Sequence, residues 1–476
     1  MNPRFLWIAI VIGWIATSLL TTQADAKSRP KPIPKAQSSE ICDHPLKQKQ
    51  PAPKVLEPIL QAHAQWLENR ESPDGRRATL CQTNLRGLRL VGANLERIDL
   101  EGASLKGANL RNASLVQAHL KGADLSQAML EDATLVGADL RKALLVKARL
   151  SRTVAEEAAF YGATLQGAIL REAVLERAHF EDADLQLADL SSATVTDGYF
   201  YGANLFKATL ADADLAGTDL RRANIQQANL RRADLQGALL DSASLDGATL
   251  AEAELDSAYL DGASLVKTDL REASLRGADL RYAQLMGATL QRANVESANL
   301  EGANLTKARL DSAGLTMAVF YKANLSHADL HGARLHQAVL IGTHLTQADL
   351  RKADLTEVYA PRARLSRAKL REATLESANL VAADLSHADL SHATLIQTNL
   401  QEADLREANL SESDLTGAQL QSADLRQSDL RGANLSGALG LVQTQLDVAC
   451  VDERTTLPPG LQMPTPCPQH QVRDRQ

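Results

Sequence analysis

The chain has 476 residues, 51 basic and 58 acidic side chains for a net charge of −7, and only 3% aromatic residues. So mild a balance excludes the dense single-sign surface that a DNA mimic needs, and it gives no reason to expect a nucleic-acid partner. Length alone suggests several domains, but a regular internal repeat overrides that reading.

Residues 1–26 read as a secretory signal peptide. Arg4 supplies the positive start, Phe5 to Leu20 is an apolar run of sixteen, and Ala24-Asp25-Ala26 offers a small-x-small cleavage site. The run is short for a membrane span. The expectation is an exported protein, periplasmic or extracellular, with no membrane span after cleavage at Lys27; an uncleaved anchor is the alternative. Residues 27–54 form a Pro- and Lys-bearing linker. Residues 55–75 are expected to be a helical cap. Over 55–69 the helical period puts Leu56, Ile59, Leu60, His63, Trp66 and Leu67 on one face. Pro58 fits only a first turn, and His63 reads as a packed residue, not a catalytic one.

The region 76–440 is built on another period. In GANLERIDLEGASLKGANLRNASL, leucine falls at Leu95, Leu100, Leu105, Leu110 and Leu115. A helix would scatter leucines five apart around its cylinder, and a strand would throw them to alternate sides. Only a chain that bends about a quarter turn every five residues points them all inward, so four pentads make a coil of twenty. The residue two before each leucine also turns inward, into a narrow slot, and it is usually alanine: Ala93, Ala103, Ala108 and Ala113, with Ile98 as an exception. The phase runs unbroken from Arg76 to Leu435, 360 residues or about eighteen coils. Stacked at the usual strand spacing they make an all-β rod roughly 85 Å long. Two pentads, 151–155 and 356–360, put alanine in the leucine position, and a thinner core or a local bulge is expected at each.

The Ala-(Asp/Asn)-Leu-x-x pattern resembles the pentapeptide-repeat family over about three quarters of the chain. The resemblance implies a right-handed quadrilateral β-helix. It says little about function; the best-understood members mimic DNA and protect topoisomerases, a role that export and mild charge here argue against. Residues 441–476 resemble the closing segment that follows such repeats. Thr444 and Asp447 are placed to form a capping box, and Leu446 to dock on the last coil.

Export makes disulfides the expectation for four cysteines. Cys42 and Cys81 lie at one end of the rod and Cys450 and Cys467 at the other, roughly 85 Å apart against the 4.4–6.8 Å Cα spacing a bridge needs, so only the pairs Cys42–Cys81 and Cys450–Cys467 remain, with four free thiols as the alternative. No nucleophile motif, phosphate loop or zinc spacing is present, so no catalytic residue, metal or cofactor is assigned. His392 stacks between Glu372 and Glu412 in one column, which reads as a surface charge ladder. Basic clusters at 141–152 and 351–371 read as solvated faces.

The aromatic residues carry the functional reading. Phe160, Phe180, Phe200 and Phe320 replace leucine on a single face, with the first three expected to stack inside. Tyr161, Tyr199, Tyr201, Tyr259, Tyr282, Tyr321 and Tyr359 all fall outside on that face, joined by Leu239, Val319, Val339, Ile341 and Val381. Coil duplication would produce this pattern, and so would a docking strip. The expectation is a non-catalytic scaffold or interaction module whose tyrosine face takes an extended protein or glycan of the envelope, or a second copy. An envelope glycan-binding protein is the alternative.

Overall fold

A computed structural model describes Cys42 and residues 45–69 and 75–465. The expected signal peptide, most of the linker and Cys467 lie outside the described residues. The chain divides into Met1–Pro45 and Leu46–Gln476, and the second unit holds the whole repeat region.

Each coil is twenty residues. Bridges run in parallel from residue i to i+20, from Thr79↔Asp99 to Gln419↔Leu439, and the bridging residue is always the one before the leucine. His119 shows the pattern: its N–H donates to the Ile98 carbonyl at 2.9 Å, and its carbonyl accepts from Leu100 N–H at 2.8 Å. Backbone polar groups are thereby paired coil to coil, as burial demands.

The motif letters have separate causes. Leucine and the residue two before it line the interior; Leu100, Ala103, Leu105 and Ala108 are all buried. Ala93, in the first coil, is only partly buried. The aspartate or asparagine before the leucine closes the corner. Its side-chain oxygen accepts the backbone N–H two residues on, as in Arg141 N–H to Asp139 Oδ1 at 3.2 Å and Ser326 N–H to Asn324 Oδ1 at 3.0 Å. The acidic letter is thus first a turn-former. The second residue after the leucine sits in the left-handed region, whether glycine (Gly302, φ +64°) or not (Tyr282, φ +57°).

The three phenylalanines stack inside as expected: Phe160 on Phe180 at 4.6 Å and Phe180 on Phe200 at 4.8 Å between ring centroids. The two alanine pentads produce no bulge. Ala155 N–H still reaches Val174 O at 2.7 Å, and Ala360 N–H reaches Asn379 O at 2.8 Å. At the second, Val358 occupies the inward slot usually held by alanine and restores part of the missing volume. At the first, Thr153 fills that slot and its hydroxyl donates to Leu130 O at 2.9 Å.

Helix α1 spans Pro53–Glu68. It starts two residues before the expected 55, because Pro53 has the preset φ of a first turn. Pro58 therefore lies inside the helix rather than in its first turn. Leu56 and His63 are its buried residues. The apolar space between α1 and the first coils is lined by Leu56, Leu60, Leu80 and Leu85. His63 ties the helix to the stack twice: Nδ1 accepts the Ala78 N–H at 3.1 Å, and Nε2 bonds the Glu96 carbonyl at 2.9 Å. That fixes the Nε2–H tautomer of a neutral ring. Burial lowers its pKa, outweighing the hydrogen bond to the Glu96 carbonyl; Arg77 also lowers it, while the Glu96 charge raises it.

Helix α2, Gln443–Leu446, follows the last coil. Leu446 is fully buried, as expected. The expected Thr444–Asp447 box is absent. Asp447 lies past the end of this one-turn helix, and Gln445 does the capping instead. Its Oε1 accepts Val442 N–H at 2.9 Å, while Nε2 donates to Leu420 O at 2.9 Å and Ala423 O at 2.8 Å. The following chain pairs back on the stack through Asp429↔Cys450 and Asn434↔Thr456.

Candidate functional site

The tyrosines lie on the outside, but on two adjoining surfaces rather than one face. Tyr199, Tyr259 and Tyr359 occupy bridging positions on a flat face. Tyr161, Tyr201 and Tyr321 are first residues of the corner that follows, and Tyr282 is a second. Five-residue periodicity assigns a residue to a pentad; it does not separate side from corner.

Nor is the strip continuous. Asp219 and Asp279 interrupt the flat column, each gripped at 2.6 Å by the arginine two residues on, Arg221 and Arg281. Three groups result. In the first, Tyr199 stacks on His179 at 4.6 Å, and that histidine contacts Glu181 at 3.1 Å. Tyr201 lies beside it under the Arg222 guanidinium, 5.8 Å from the ring centroid. A hydrogen bond to the Asp182 carboxylate holds the Tyr161 hydroxyl above its usual pKa. In the second, Tyr259 bridges Leu239. In the third, Val319 bridges Val339, which bridges Tyr359, with Tyr321 and Ile341 on the corner beside them. Val339 is 5% exposed, so this group is packed flat. Tyr282 stands apart and is 55% exposed. A Cβ on Gly302 would fall 2.7 Å from its ring, so any other residue there would displace the ring from this position.

His392 contacts Glu412 at 3.2 Å, in the column expected. Arg371 is the main cause of the lowered Glu372 pKa, with Lys352 and His392 contributing. Cys42, Cys81 and Cys450 are disulfide-bonded. Among the described residues, no group of three His, Cys, Asp or Glu side chains could hold a metal ion.

Sequence reasoning missed the polar bonds at the two ends. Nothing in the periodicity marks His63 or Gln445 as bonding partners of the stack. It also missed a face without carboxylates, legible had residues been tabulated by position in the twenty-residue coil.

The profile of the pentapeptide repeats matches in successive copies from residue 76 to residue 437. Among solved structures, HetL, a pentapeptide repeat protein involved in heterocyst differentiation regulation in the cyanobacterium Nostoc, is 32% identical. The match covers 53% of this chain and 91% of HetL, with a TM-score of 0.18. A pentapeptide repeat protein of the Arabidopsis thaliana thylakoid lumen is also 32% identical, over 19% of this chain and 63% of that one, with a TM-score of 0.19. QnrB1, a plasmid-mediated fluoroquinolone resistance protein, is 19% identical over 41% of this chain and 92% of its own, with a TM-score of 0.21. No curated protein matches by sequence. The repeat, its phase and the family match agree: the chain belongs to the pentapeptide-repeat family, whose members form right-handed quadrilateral β-helices.

Proposed function

We propose that this protein is an exported, non-catalytic rod of about eighteen coils that serves as a scaffold or protein-interaction module. Helix α1 and the segment after residue 440 act as its caps, and Cys42–Cys81 and Cys450–Cys467 are the disulfide pairs that secure them. The observation that carries the reading is the concentration of all seven tyrosines on one side and its adjoining corner, on a scaffold whose interior is only packing. Tyrosine offers a broad apolar ring with a polar tip at low entropic cost. A rigid rod presents spaced groups of rings without an ordering penalty, so several weak contacts sum as avidity. An extended or repetitive partner suits that spacing, whether an elongated protein of the envelope or a second copy.

The test is Tyr199→Ser, Tyr201→Ser and Tyr259→Ser combined. The inward Leu and Phe residues are untouched, so folding survives. The reading predicts loss of the envelope protein crosslinked to the wild type, or loss of self-association. If the variant captures the same partner and keeps the same oligomeric state, the tyrosine surface is not the docking site.

A further inference from the structure

The arginines of this rod differ in how they are paired, and some, such as Arg152 with Asp132 and Arg232 with Asp212, bond a carboxylate one coil away. Many are clipped by the aspartate two residues earlier, as in Arg141–Asp139, Arg281–Asp279 and Arg351–Asp349, each at 2.6 Å. Such a pair presents little net charge to a ligand. Arg362, Arg364 and Arg367 are exposed and make no ion pair among the described residues.

Their surroundings are unusual. They lie on the side after the tyrosine corner, Arg364 on its flat face and Arg362 and Arg367 at the second positions of the corners that bound it. In six successive coils that face is formed by residues 262–267, 282–287, 302–307, 322–327, 342–347 and 362–367, and none of these is aspartate or glutamate. The stretch carries Lys267, Lys307, Lys322, Arg362, Arg364 and Arg367 without one carboxylate, in a chain with an excess of acid. The other three sides of the same coils are interrupted by acids such as Asp269, Asp329, Glu296 and Asp279. Acids bound the stretch: Asp261 and Glu301 stand on the preceding corner, Asp246 lies one coil before it and accepts the Ser264 hydroxyl at 2.5 Å, and Asp384 lies one coil after it, bridged to Arg364. Between the cations run neutral hydrogen-bonding groups: Asn304, Thr306, Asn324, Ser326, Thr346 and Ser366. Arg364 also helps to hold the His344 pKa down, secondary to burial.

We propose that this face binds an extended anionic polysaccharide laid along the rod, its carboxylates meeting the six cations and its hydroxyls the amide and hydroxyl side chains between them. Charge density favours this class. Six coils span roughly 24 Å at the strand spacing. Duplex DNA carries a charge about every 1.7 Å, far more than six cations would match over that length. A single-stranded nucleic acid needs aromatic platforms, and here Tyr282 and Tyr321 stand only at the border. An acidic protein would want apolar anchors, and beyond Tyr282 at its edge the face offers only Val266 and Met286. A uronate polymer has sparse charge with hydroxyls between, as the face has. This surface adjoins the tyrosine groups but is distinct from them, so it stands or falls separately.

The test measures binding of an oligogalacturonate to the full-length protein at low ionic strength. Wild type is expected to bind, and the fully methyl-esterified oligosaccharide to bind at least tenfold more weakly. Arg362→Glu, Arg364→Glu and Arg367→Glu combined should lose about tenfold or more in affinity, and the corresponding glutamine triple somewhat less. Arg309→Glu, Arg334→Glu and Lys369→Glu combined make the same charge change on other faces of these coils and should retain most of the affinity. Circular dichroism melts confirm that all three variants fold, since every changed residue points outward. The proposal is overturned by no binding to wild type, by equal loss in both glutamate triples, by equal binding of the esterified form, or by tighter binding of a duplex DNA oligonucleotide.

Discussion

The middle of the stack and its two ends are held by different means. In the middle every coil repeats one solution: four inward leucines or their substitutes, small residues in the narrow slots, and carboxamide or carboxylate oxygens closing the corners. Each burial contributes about 1.5–3 kcal/mol, and each has a copy one coil away. At the ends there is no neighbouring coil to copy. There single side chains bond the backbone at the edge of the stack: His63 the Ala78 N–H and the Glu96 carbonyl, Gln445 the Leu420 and Ala423 carbonyls. The middle is stable by repetition and its ends by individual bonds, so the two should fail differently.

The largest effect should come from breaking the repeated interior. Leu270 is fully buried, and Leu270→Asp places an unpaired carboxylate among apolar side chains at a cost of several kcal/mol, read as a fall in chemical-denaturation midpoint. Arg271, its exposed neighbour, grips Asp269 at 2.7 Å, and Arg271→Asp should leave the midpoint nearly unchanged. Equal shifts would mean that inside and outside are wrongly assigned.

Next in size is the C-terminal end. Gln445→Ala leaves the Ala423 carbonyl and the Val442 N–H without their partners, at about 1–3 kcal/mol, while Leu420 O keeps its bond from Ala423 N–H at 3.1 Å. The loss should appear as faster local proteolysis after residue 440 and not as a fall in the global midpoint. Gln226 in the middle bonds Ser244 across coils, at 2.7 Å, and Gln226→Ala should leave proteolysis after residue 440 as it was.

The N-terminal end should respond to acid. The pKa of His63 is lower in the folded chain than its ordinary 6.5. The unfolded state therefore takes up the proton first as pH falls. The stability that neutral His63 contributes is full above about pH 6.5 and declines as pH drops from there through the folded pKa. Protonation of Nδ1 would set a donor against the Ala78 N–H. Protease cleavage within α1 should rise on going from neutral to mildly acid pH, and His63→Leu should remove most of that pH dependence. The smallest effect is expected from serine at Tyr199, Tyr201 and Tyr259, which should leave the melting curve close to wild type.

The same contrast explains how much could be read from the sequence. Leu95 to Leu115 announce the coil because an inward residue every fifth position admits only one geometry. Phe160, Phe180 and Phe200 stack as expected because stacking follows directly from a twenty-residue step. The alanines at 155 and 360 admit two outcomes from sequence, a thinner core or a coil deformed by a bulge. No bulge forms, because backbone bonds from both neighbouring coils hold the register and Thr153 and Val358 occupy the slots beside them. The ends were less legible. No repeat reports which polar atoms the last coil leaves open, so Thr444 and Asp447 looked as suitable for capping as Gln445. The tyrosines were correctly expected outside. Their division into three groups depends on Asp219 and Asp279, whose effect appears only once neighbouring coils are stacked.

The most direct test is native-state hydrogen exchange resolved along the whole chain. An uninterrupted stack with individually held ends predicts slow and similar exchange for bridging-residue amides from about residue 119 to residue 399, including Val154 and Tyr359. Protection should fall in the first and last coils. His63→Leu should deepen that loss at the N-terminal end alone, and Gln445→Ala at the C-terminal end alone. Fast exchange at 151–155 or 356–361, or loss of mid-stack protection in either end variant, would contradict the account.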